Sequence, residues 1–242
     1  MIPVPPPAPP APACVAREES NSNNVPDEAL HRHKVEETVA KLYEWGGISR
    51  DPVLVVSVPV QHVLQSGPMC GLVALSMASS AHGQTAIDAA NLLAVAKNLG
   101  FTNHGEIFSV EFMQSLAQSV LPNVEVTIVT HELSDPQFIA QHVAAGDVFL
   151  VPYDSDRNFA PACLQGHKAH WAIVTGVIIS MLSTEQKNQL TILPPGKTSL
   201  SLVQSLKCDS LHVLALQGKS QRLGAWPLQD LVSSNGNLVQ QE

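Results

Sequence analysis

The sequence contains few charged and few aromatic residues, and its basic residues are outnumbered by its acidic ones. Charged residues make up 14% and aromatic residues 5% of the 242 positions, and 13 Lys and Arg against 21 Asp and Glu give a formal charge of -8. Lys and Arg do not cluster anywhere. Attraction to a phosphate backbone is therefore absent as a driving force, and we expect no nucleic acid among the partners.

Long apolar runs are also missing. The longest, such as AIVTGVII, fall far short of the roughly 20 residues that span a bilayer, so the sequence predicts no membrane segment and no membrane partner. The N-terminal stretch MIPVPPPAPPAPA lacks the basic segment and the unbroken apolar core of a secretory signal. This pattern favours a cytoplasmic protein.

Cysteines are few and scattered. The four of them, at positions 14, 70, 163 and 208, form no CxxC pair. Such spacing is poor for a structural zinc site and ordinary for a reduced intracellular protein. We therefore predict free thiols, no metal site and no cofactor.

Apolar residues are abundant enough for one packed domain. They make up 45% of the chain despite 18 prolines, and the length allows one domain or two small ones, of which we expect one. Residues 1–26 are predicted to be a proline-rich disordered tail, because residues 3–12 are mostly proline and alanine and favour polyproline II. Such a tail is either a spacer or a ligand for an aromatic groove. The folded domain is expected at 27–242.

The order of the predicted elements indicates an α+β fold. Helices are predicted in PDEALHRHKVEETVAKLYEW and in three segments that follow residue 70: LVALSMASSAH, TAIDAANLLAVAKNLG and VEFMQSLAQSV. Strands are predicted later, in VEVTIVT, DVFLVPY, AHWAIVTGVII and LHVLALQGKS, with the helix DPQFIAQHVAAG among them. PVLVVSVPV favours an extended or edge segment, and 183–207 an insertion loop. We expect a helical half followed by an antiparallel sheet half.

The stretch SGPMCGLVALS places Cys70 between a Gly-Pro turn and the start of a predicted helix. A helix N-terminus lowers a thiol pKa, because its unpaired N–H groups and its dipole favour negative charge. The small Gly71 is expected to leave room for a substrate carbonyl. A lone cysteine is more often an inert core residue, so partners must decide whether Cys70 is a nucleophile.

Two further features supply such partners. GHKAHW contains His167 and His170, and His170, directly ahead of an apolar strand, is better placed to be held rigidly as a general base. Gln65, five residues before Cys70, can stabilise a tetrahedral oxyanion together with the Cys70 backbone N–H, with Gln61 as its rival. Gln65, Cys70 and His170 thus supply the roles that acyl transfer needs.

Several longer strings carry a family resemblance: LQSGPMCGLVALSMA, GEIFSVEFM, VPYDSD, GHKAHWAIVTGV and LALQGKS. From about Val53 to Val239 the sequence resembles the actin maturation protease family, papain-like cysteine peptidases similar in fold to the C39 type. The resemblance implies an aminopeptidase that removes an N-terminally acetylated Met or Cys from immature actin and exposes the acidic residue behind it. It implies Cys70 as nucleophile, His170 as general base and Gln65 as the oxyanion glutamine.

The resemblance implies partners and leaves alternatives open. The proline-rich N-terminus is expected to bind profilin, which carries actin. The third catalytic residue stays open between Gln217 in LALQGKS and Asp154 in VPYDSD. The chain ends before the strand-like sequence that completes the family's sheet, which leaves open a C-terminally shortened domain. The alternative function is a catalytically inactive adaptor that binds actin or profilin on a degenerate peptidase fold.

The aspartates of VPYDSD raise a question of charge. Asp154 and Asp156 either hold a loop through Asx-type turns or line the cleft. Because an acidic lining would repel an acidic actin N-terminus, we predict a structural or orienting role for both. Lys168 or Arg157 is expected to attract the substrate instead.

Overall fold

The computed structural model describes residues 26–48, 53–180 and 189–238, so all but the last residue of the tail predicted at 1–26 lies outside the described residues. Within these ranges the helices are α1 Glu28–Trp45, α2 Cys70–Ser79, α3 Ala89–Asn98, α4 Val110–Val120, α5 Pro136–Ala145, α6 Lys197–Ser205 and α7 Leu228–Gly236. The strands are β1 Val53–Ser57, β2 Phe149–Ser155, β3 Pro161–Ala162, β4 Ala169–Ser180, β5 Leu190–Leu193, β6 His212–Gln217 and β7 Ser220–Pro227. All of these strands belong to one sheet.

Strand β4 is the centre of this sheet. Its first half pairs antiparallel with β2 and its second half antiparallel with β1, while β6 pairs with its other edge. β7 extends the sheet beyond β6, β3 extends it beyond β2, and β5 pairs with β1 in parallel. Every residue of β4 except its two ends is buried. Because both faces of β4 are covered by other elements, its residues form a nearly continuous apolar run in the sequence.

Helices cover both faces of the sheet. Leu54 and Val56 of β1 pack on one face into a core shared with α5 and α7. Val53 and Val55 point to the other face, where they pack against α1. α2 lies on that second face with α3 and α4 around it. The result is a three-layer α+β arrangement in which α2 packs on β4.

The helices confirm the predictions made from local signals. Asp27 caps α1 by accepting hydrogen bonds from the N–H groups of residues 29 and 30, both at 3.0 Å. Gly146 ends α5 with a φ of 115°, a left-handed conformation that favours glycine. α7 is longer than the single turn expected from LQDLV. In the described ranges, no helix is both long enough and apolar enough to cross a bilayer.

The strand predictions need correction. The expected division into a helical half and an antiparallel sheet half is wrong, because β1 precedes the Cys70 helix and the sheet is mixed. β1 also lies between β4 and β5 and not at an edge. Local patterns do not report these pairings, since strand partners are distant in sequence.

Two segments differ from their predicted structure. VEVTIVT forms no strand: Val126 offers its carbonyl to the amides of Gln114 and Gln118, at 3.0 and 3.4 Å, in place of a neighbouring strand. The predicted insertion loop at 183–207 contains β5 and α6. β5 is four residues long, and its apolar pattern is too short to distinguish from a loop.

Candidate active site

Cys70 is the first residue of α2, as the Gly-Pro turn before it predicts. Gly67 in that turn has a φ of 74°, a left-handed conformation that favours glycine. Met69 precedes the helix and provides no side-chain cap. The side chain of Met69 therefore does not occupy the backbone N–H groups of the first turn, and the thiol of Cys70 is half-buried beside them.

Gly71 serves packing and not the substrate access that the sequence predicts. A Cβ atom built on it would lie 3.0 Å from Met113 Cε, 3.1 Å from Trp171 Cδ1 and 3.3 Å from Ile107 Cβ. The indole N–H of Trp171 also donates to the Ile107 carbonyl at 2.8 Å. The missing side chain at Gly71 therefore lets the start of α2 lie directly against the start of β4.

His170 lies in β4 opposite Tyr153 of β2 and is 3% exposed. The two rings meet edge to face, with centroids 6.0 Å apart, and the Tyr153 hydroxyl donates to the Phe159 carbonyl at 2.9 Å. His167 is exposed in the turn before β4, where its N–H donates to the Leu164 carbonyl at 3.1 Å. Of the two histidines, the structure holds His170 rigidly in the core.

The fold brings Cys70 to the strand that carries His170. Cys70 packs in the same apolar cluster as Trp171, the residue after His170. Burial raises the pKa of the Cys70 thiol, and it outweighs the backbone groups of Trp171 and Gly71 and the charge of Lys219, which lower that pKa. The sequence predicts that the helix start lowers this pKa, but desolvation has the larger effect and the pKa is raised.

Burial also acts on the histidine. It lowers the pKa of His170 to about 4, with the hydrogen bond that His170 donates to Gln217 opposing this shift and the positive charge of Lys219 adding to it. At neutral pH, His170 is an uncharged imidazole and Cys70 is a thiol. The resting pair is therefore neutral, and a proton must move from sulfur to imidazole when the sulfur attacks.

Gln217, at the end of β6, is the candidate third residue that contacts His170. Its side-chain oxygen lies 3.3 Å from His170 Nε2 and accepts the backbone N–H of Lys219 at 2.6 Å. A backbone N–H can only donate, so the atom facing it must be the amide oxygen. The same oxygen then requires a proton on Nε2, which leaves Nδ1 with the lone pair that a general base needs.

Asp154, the other candidate, has different partners. Its buried carboxylate accepts the N–H groups of Leu164, Gly166 and Lys168 at 2.9, 2.8 and 2.9 Å. These bonds close the loop that leads into β4. Asp156 holds the neighbouring turn by accepting the N–H groups of residues 158 and 160, at 2.7 and 2.9 Å. Both aspartates thus stabilise loops by accepting backbone hydrogen bonds, which is one of the two roles that the sequence leaves open.

Gln65 lies between the Cys70 turn and the Gln217 turn. Its backbone N–H donates to the Gly218 carbonyl and its side-chain amide to the Gly67 carbonyl, both at 2.8 Å. Its side-chain oxygen is buried and has no hydrogen-bond partner in the described part of the chain. One of the two amide N–H bonds remains available for a ligand.

Gln61, the rival of Gln65, lies near the other end of α2. Its backbone N–H donates to the Ser80 hydroxyl at 2.7 Å, and its side-chain oxygen accepts the Ala86 N–H at 3.3 Å. Ser80 directly follows the last residue of α2, whereas Cys70 is its first. The structure therefore separates Gln61 from the nucleophile and leaves Gln65 as the candidate beside it.

Two other partly buried histidines have partners of their own. His62 Nε2 contacts the backbone carbonyl of Gln217 at 3.3 Å, and His31 Nε2 contacts the Ser57 hydroxyl at 2.9 Å. Burial lowers the pKa of both imidazoles. Across the residues that the structure describes, no three His, Cys, Asp or Glu side chains gather closely enough to hold a metal ion.

Sequence reasoning missed two features of this site. Ile107 and Trp171 join the loop before α4 to β4 and thereby position the Cys70 helix. Lys219, two residues after Gln217, fixes the Gln217 amide through its backbone. The string LALQGKS contains this lysine, but no local signal shows that the turn lies beside Cys70.

Comparison with known proteins gives a consistent family. The family model "Actin maturation protease-like, C-terminal domain" matches residues 60–178. The actin maturation protease of Bos taurus is 35% identical over 192 residues, which cover 73% of this chain and 54% of that protein. Those of Homo sapiens and Drosophila melanogaster are each 33% identical, over 73% and 74% of this chain and 54% and 56% of theirs.

The chain spans about half the length of these curated relatives. The matched region includes Gln65, Cys70 and His170, whereas Gln217 and Lys219 lie beyond its end at residue 178. No solved structure matches the chain.

Proposed function

Because this chain belongs to the actin maturation protease family, we propose that it is a cysteine aminopeptidase acting on immature actin. It removes the N-terminal acetylated Met or Cys and leaves the acidic mature N-terminus. The observation that carries this proposal is the position of Cys70 at a helix start, packed in one cluster with Trp171, the residue after His170, whose Nε2 faces Gln217. This combination supplies a nucleophile, a base and a group that orients the base.

The reaction begins from the neutral pair. His170 Nδ1 accepts the thiol proton of Cys70 as the sulfur attacks the carbonyl carbon of the acetylated residue. The resulting oxyanion is stabilised by the free amide N–H of Gln65 and by the backbone N–H of Cys70. The imidazolium then gives its proton to the leaving amine, and the C–N bond breaks to form a thioester.

Water completes the cycle. His170 Nδ1 removes a proton from water, which attacks the thioester, and the second tetrahedral intermediate releases the acetylated amino acid and the thiol. Gln217 keeps the proton on Nε2 through both steps, so that Nδ1 alone exchanges protons. Because Gln217 is uncharged, it orients the imidazole without stabilising the imidazolium as strongly as a carboxylate would.

The order of these groups supports a papain-like fold of the C39 type. Gln65, Cys70, His170 and Gln217 follow one another along the chain, with the cysteine on a helix that packs against the strand of the histidine. In the same arrangement, the imidazole turns Nε2 to an amide and leaves Nδ1 for the sulfur. This fold assignment is part of the proposal and rests on these contacts.

The remaining assignments concern partners and place. We place the reaction in the cytoplasm, where the described cysteines, Cys70, Cys163 and Cys208, would remain free thiols as they are in the structure. Profilin binding through the proline-rich N-terminus, residues 1–13, remains a prediction that the family resemblance implies. Those residues lie outside the described part of the chain.

Mass spectrometry tests the proposed reaction. An acetylated peptide with the immature actin N-terminus, and whole actin, are incubated with the parent protein, with Cys70→Ala and with Cys163→Ala. The parent and Cys163→Ala should release one acetylated residue, because Cys163 is an exposed thiol that does not lie at the start of a helix. Cys70→Ala should lose about 10³-fold or more in rate.

The negative outcomes are distinct. Cleavage by Cys70→Ala at the parent rate would remove the nucleophile assignment. No cleavage by parent protein whose circular dichroism shows a folded chain would favour the catalytically inactive adaptor. Pull-down of actin and profilin by that same sample would then test the adaptor directly.

A further inference from the structure

The turn between β6 and β7 places a lysine beside the candidate site. Its two central residues are Gly218 and Lys219. The Lys219 N–H holds the Gln217 side chain at 2.6 Å, and the Gly218 carbonyl accepts the backbone N–H of Gln65 at 2.8 Å. The backbone of this turn therefore fixes Lys219 between the group that orients the base and the candidate oxyanion glutamine.

The side chain of Lys219 is exposed and has no carboxylate partner among the described residues. None of the ion pairs found between described residues includes it. Its positive charge acts on both members of the neutral pair, since it lowers the pKa of Cys70 and of His170. In a chain with a formal charge of -8, an unpaired cation at this position is available to bind an anion.

The cations expected from the sequence have a weaker claim. Lys168 and Arg157 are exposed, and neither is among the charges that act on Cys70 or His170. The backbone of Lys168 is bound to the Asp154 carboxylate in the loop before β4. The cation that acts on the pKa values of Cys70 and His170 is thus Lys219 in the turn after β6, and not Lys168 or Arg157.

We propose that Lys219 binds a side-chain carboxylate of the peptide on the leaving-group side of the scissile bond. This inference rests on the peptidase function proposed above. His170 must protonate the leaving amine, so the leaving segment passes His170 and the Gln217 turn that carries Lys219. An extended peptide advances about 3.3 Å per residue, so the first two residues after the bond lie within reach of a lysine side chain.

The expected effect is a change in specificity. An ion pair at a solvent-exposed rim contributes little, so we expect an acidic residue after the scissile bond to raise kcat/KM about two- to fivefold over its amide. The preference should weaken in salt, because the screening length falls from about 10 Å at 0.1 M to about 3 Å at 1 M.

Matched peptides test this inference. Three acetylated peptides differ only in the first residue after the scissile bond, which is Asp, Asn or Lys. Each is cleaved by the parent protein, by Lys219→Glu, by Lys219→Met and by Lys197→Glu as the control. Lys197 is an exposed lysine at the start of α6. This helix packs with α5 on the face of the sheet that does not carry α2.

The ratios of kcat/KM decide the outcome. The parent and Lys197→Glu should prefer Asp over Asn, Lys219→Met should lose that preference, and Lys219→Glu should prefer the Lys peptide. An Asp to Asn ratio in Lys219→Glu equal to that of the parent overturns this inference alone. Failure of the folded parent to cleave any of the peptides overturns the peptidase proposal, and this inference with it.

Discussion

Acidification should destabilise the protein through His170. This imidazole is buried and its pKa is lowered from 6.5 to about 4. Between these two values the unfolded chain binds a proton that the folded chain does not, so stability falls as the pH falls. The stabilising contribution is complete above about pH 6.5 and is lost progressively towards pH 4.

The magnitude follows from the size of the shift. One unit of pKa corresponds to about 1.4 kcal/mol, so the complete loss below pH 4 is about 3 kcal/mol. Between pH 7.5 and pH 5 the same linkage gives a loss of about 2 kcal/mol from His170 alone. Typical domains are stable by about 5–15 kcal/mol, so this loss is measurable.

Urea unfolding followed by tryptophan fluorescence provides the assay. Free energies of unfolding are measured at pH 7.5 and pH 5 for the parent and for His170→Gln, which cannot titrate. His31, His62 and His212 also have lowered pKa values, and they remain in both proteins, so their contributions cancel in the comparison. The parent should lose about 2 kcal/mol more than the variant over this range.

Equal losses in the two proteins would refute the reasoning, because His170 would then titrate equally in the folded and unfolded chains. With a pKa near 6.5, about a quarter of the His170 rings would be protonated at pH 7, instead of about one in a thousand. Nuclear magnetic resonance titration of the His170 ring gives an independent reading. A midpoint near 6.5 would contradict the buried, uncharged imidazole on which the mechanism depends.

Three further substitutions test the surroundings of the pair. Gln217→Glu should raise the pKa of His170 by about one unit or more, since a carboxylate favours the imidazolium. The acidic limb of the profile of kcat/KM against pH should then move to higher pH. An unmoved limb would contradict the contact between His170 and residue 217. Gly218→Ala should lower kcat/KM about tenfold, because its Cβ would lie 3.0 Å from Gln65 Cβ, Gln65 Oε1 and Val73 Cγ1; parent kinetics in the folded variant would show that the turn does not position Gln65. Asp154→Asn should reduce the free energy of unfolding by about 2–4 kcal/mol, because the buried carboxylate that accepts three N–H groups is replaced by an amide. Exposed Asp156→Asn should cost less than about 1 kcal/mol. Equal costs in urea unfolding would refute this difference.

Local sequence was sufficient for the elements that carry the site. A Gly-Pro turn followed by an apolar run predicts the helix start at Cys70, and a long apolar stretch after His170 predicts β4. Both predictions hold because turn chemistry and hydrophobic pattern act over a few residues. The preference for His170 over His167 follows from the same reasoning, since only His170 lies in the buried strand.

Local sequence patterns could not predict which distant segments pair as strands. VEVTIVT has a strand pattern, yet its Val126 carbonyl is bound by glutamine side chains of α4. β5 is short and half-buried, and it becomes a strand because β1 offers it a parallel edge. A strand exists only with a partner, and the partner is chosen by the whole fold.

The chain's pattern alone therefore determined its class as a mixed α and β domain, and it placed a cysteine at a helix start and a histidine at a strand start. The tertiary structure decided what these residues experience. Burial makes the pair neutral, the turn after β6 brings Gln217 and Lys219 to it, and Asp154 is directed to a loop. Desolvation and hydrogen bonding depend on atoms far apart in sequence, so they arise only when the chain is folded.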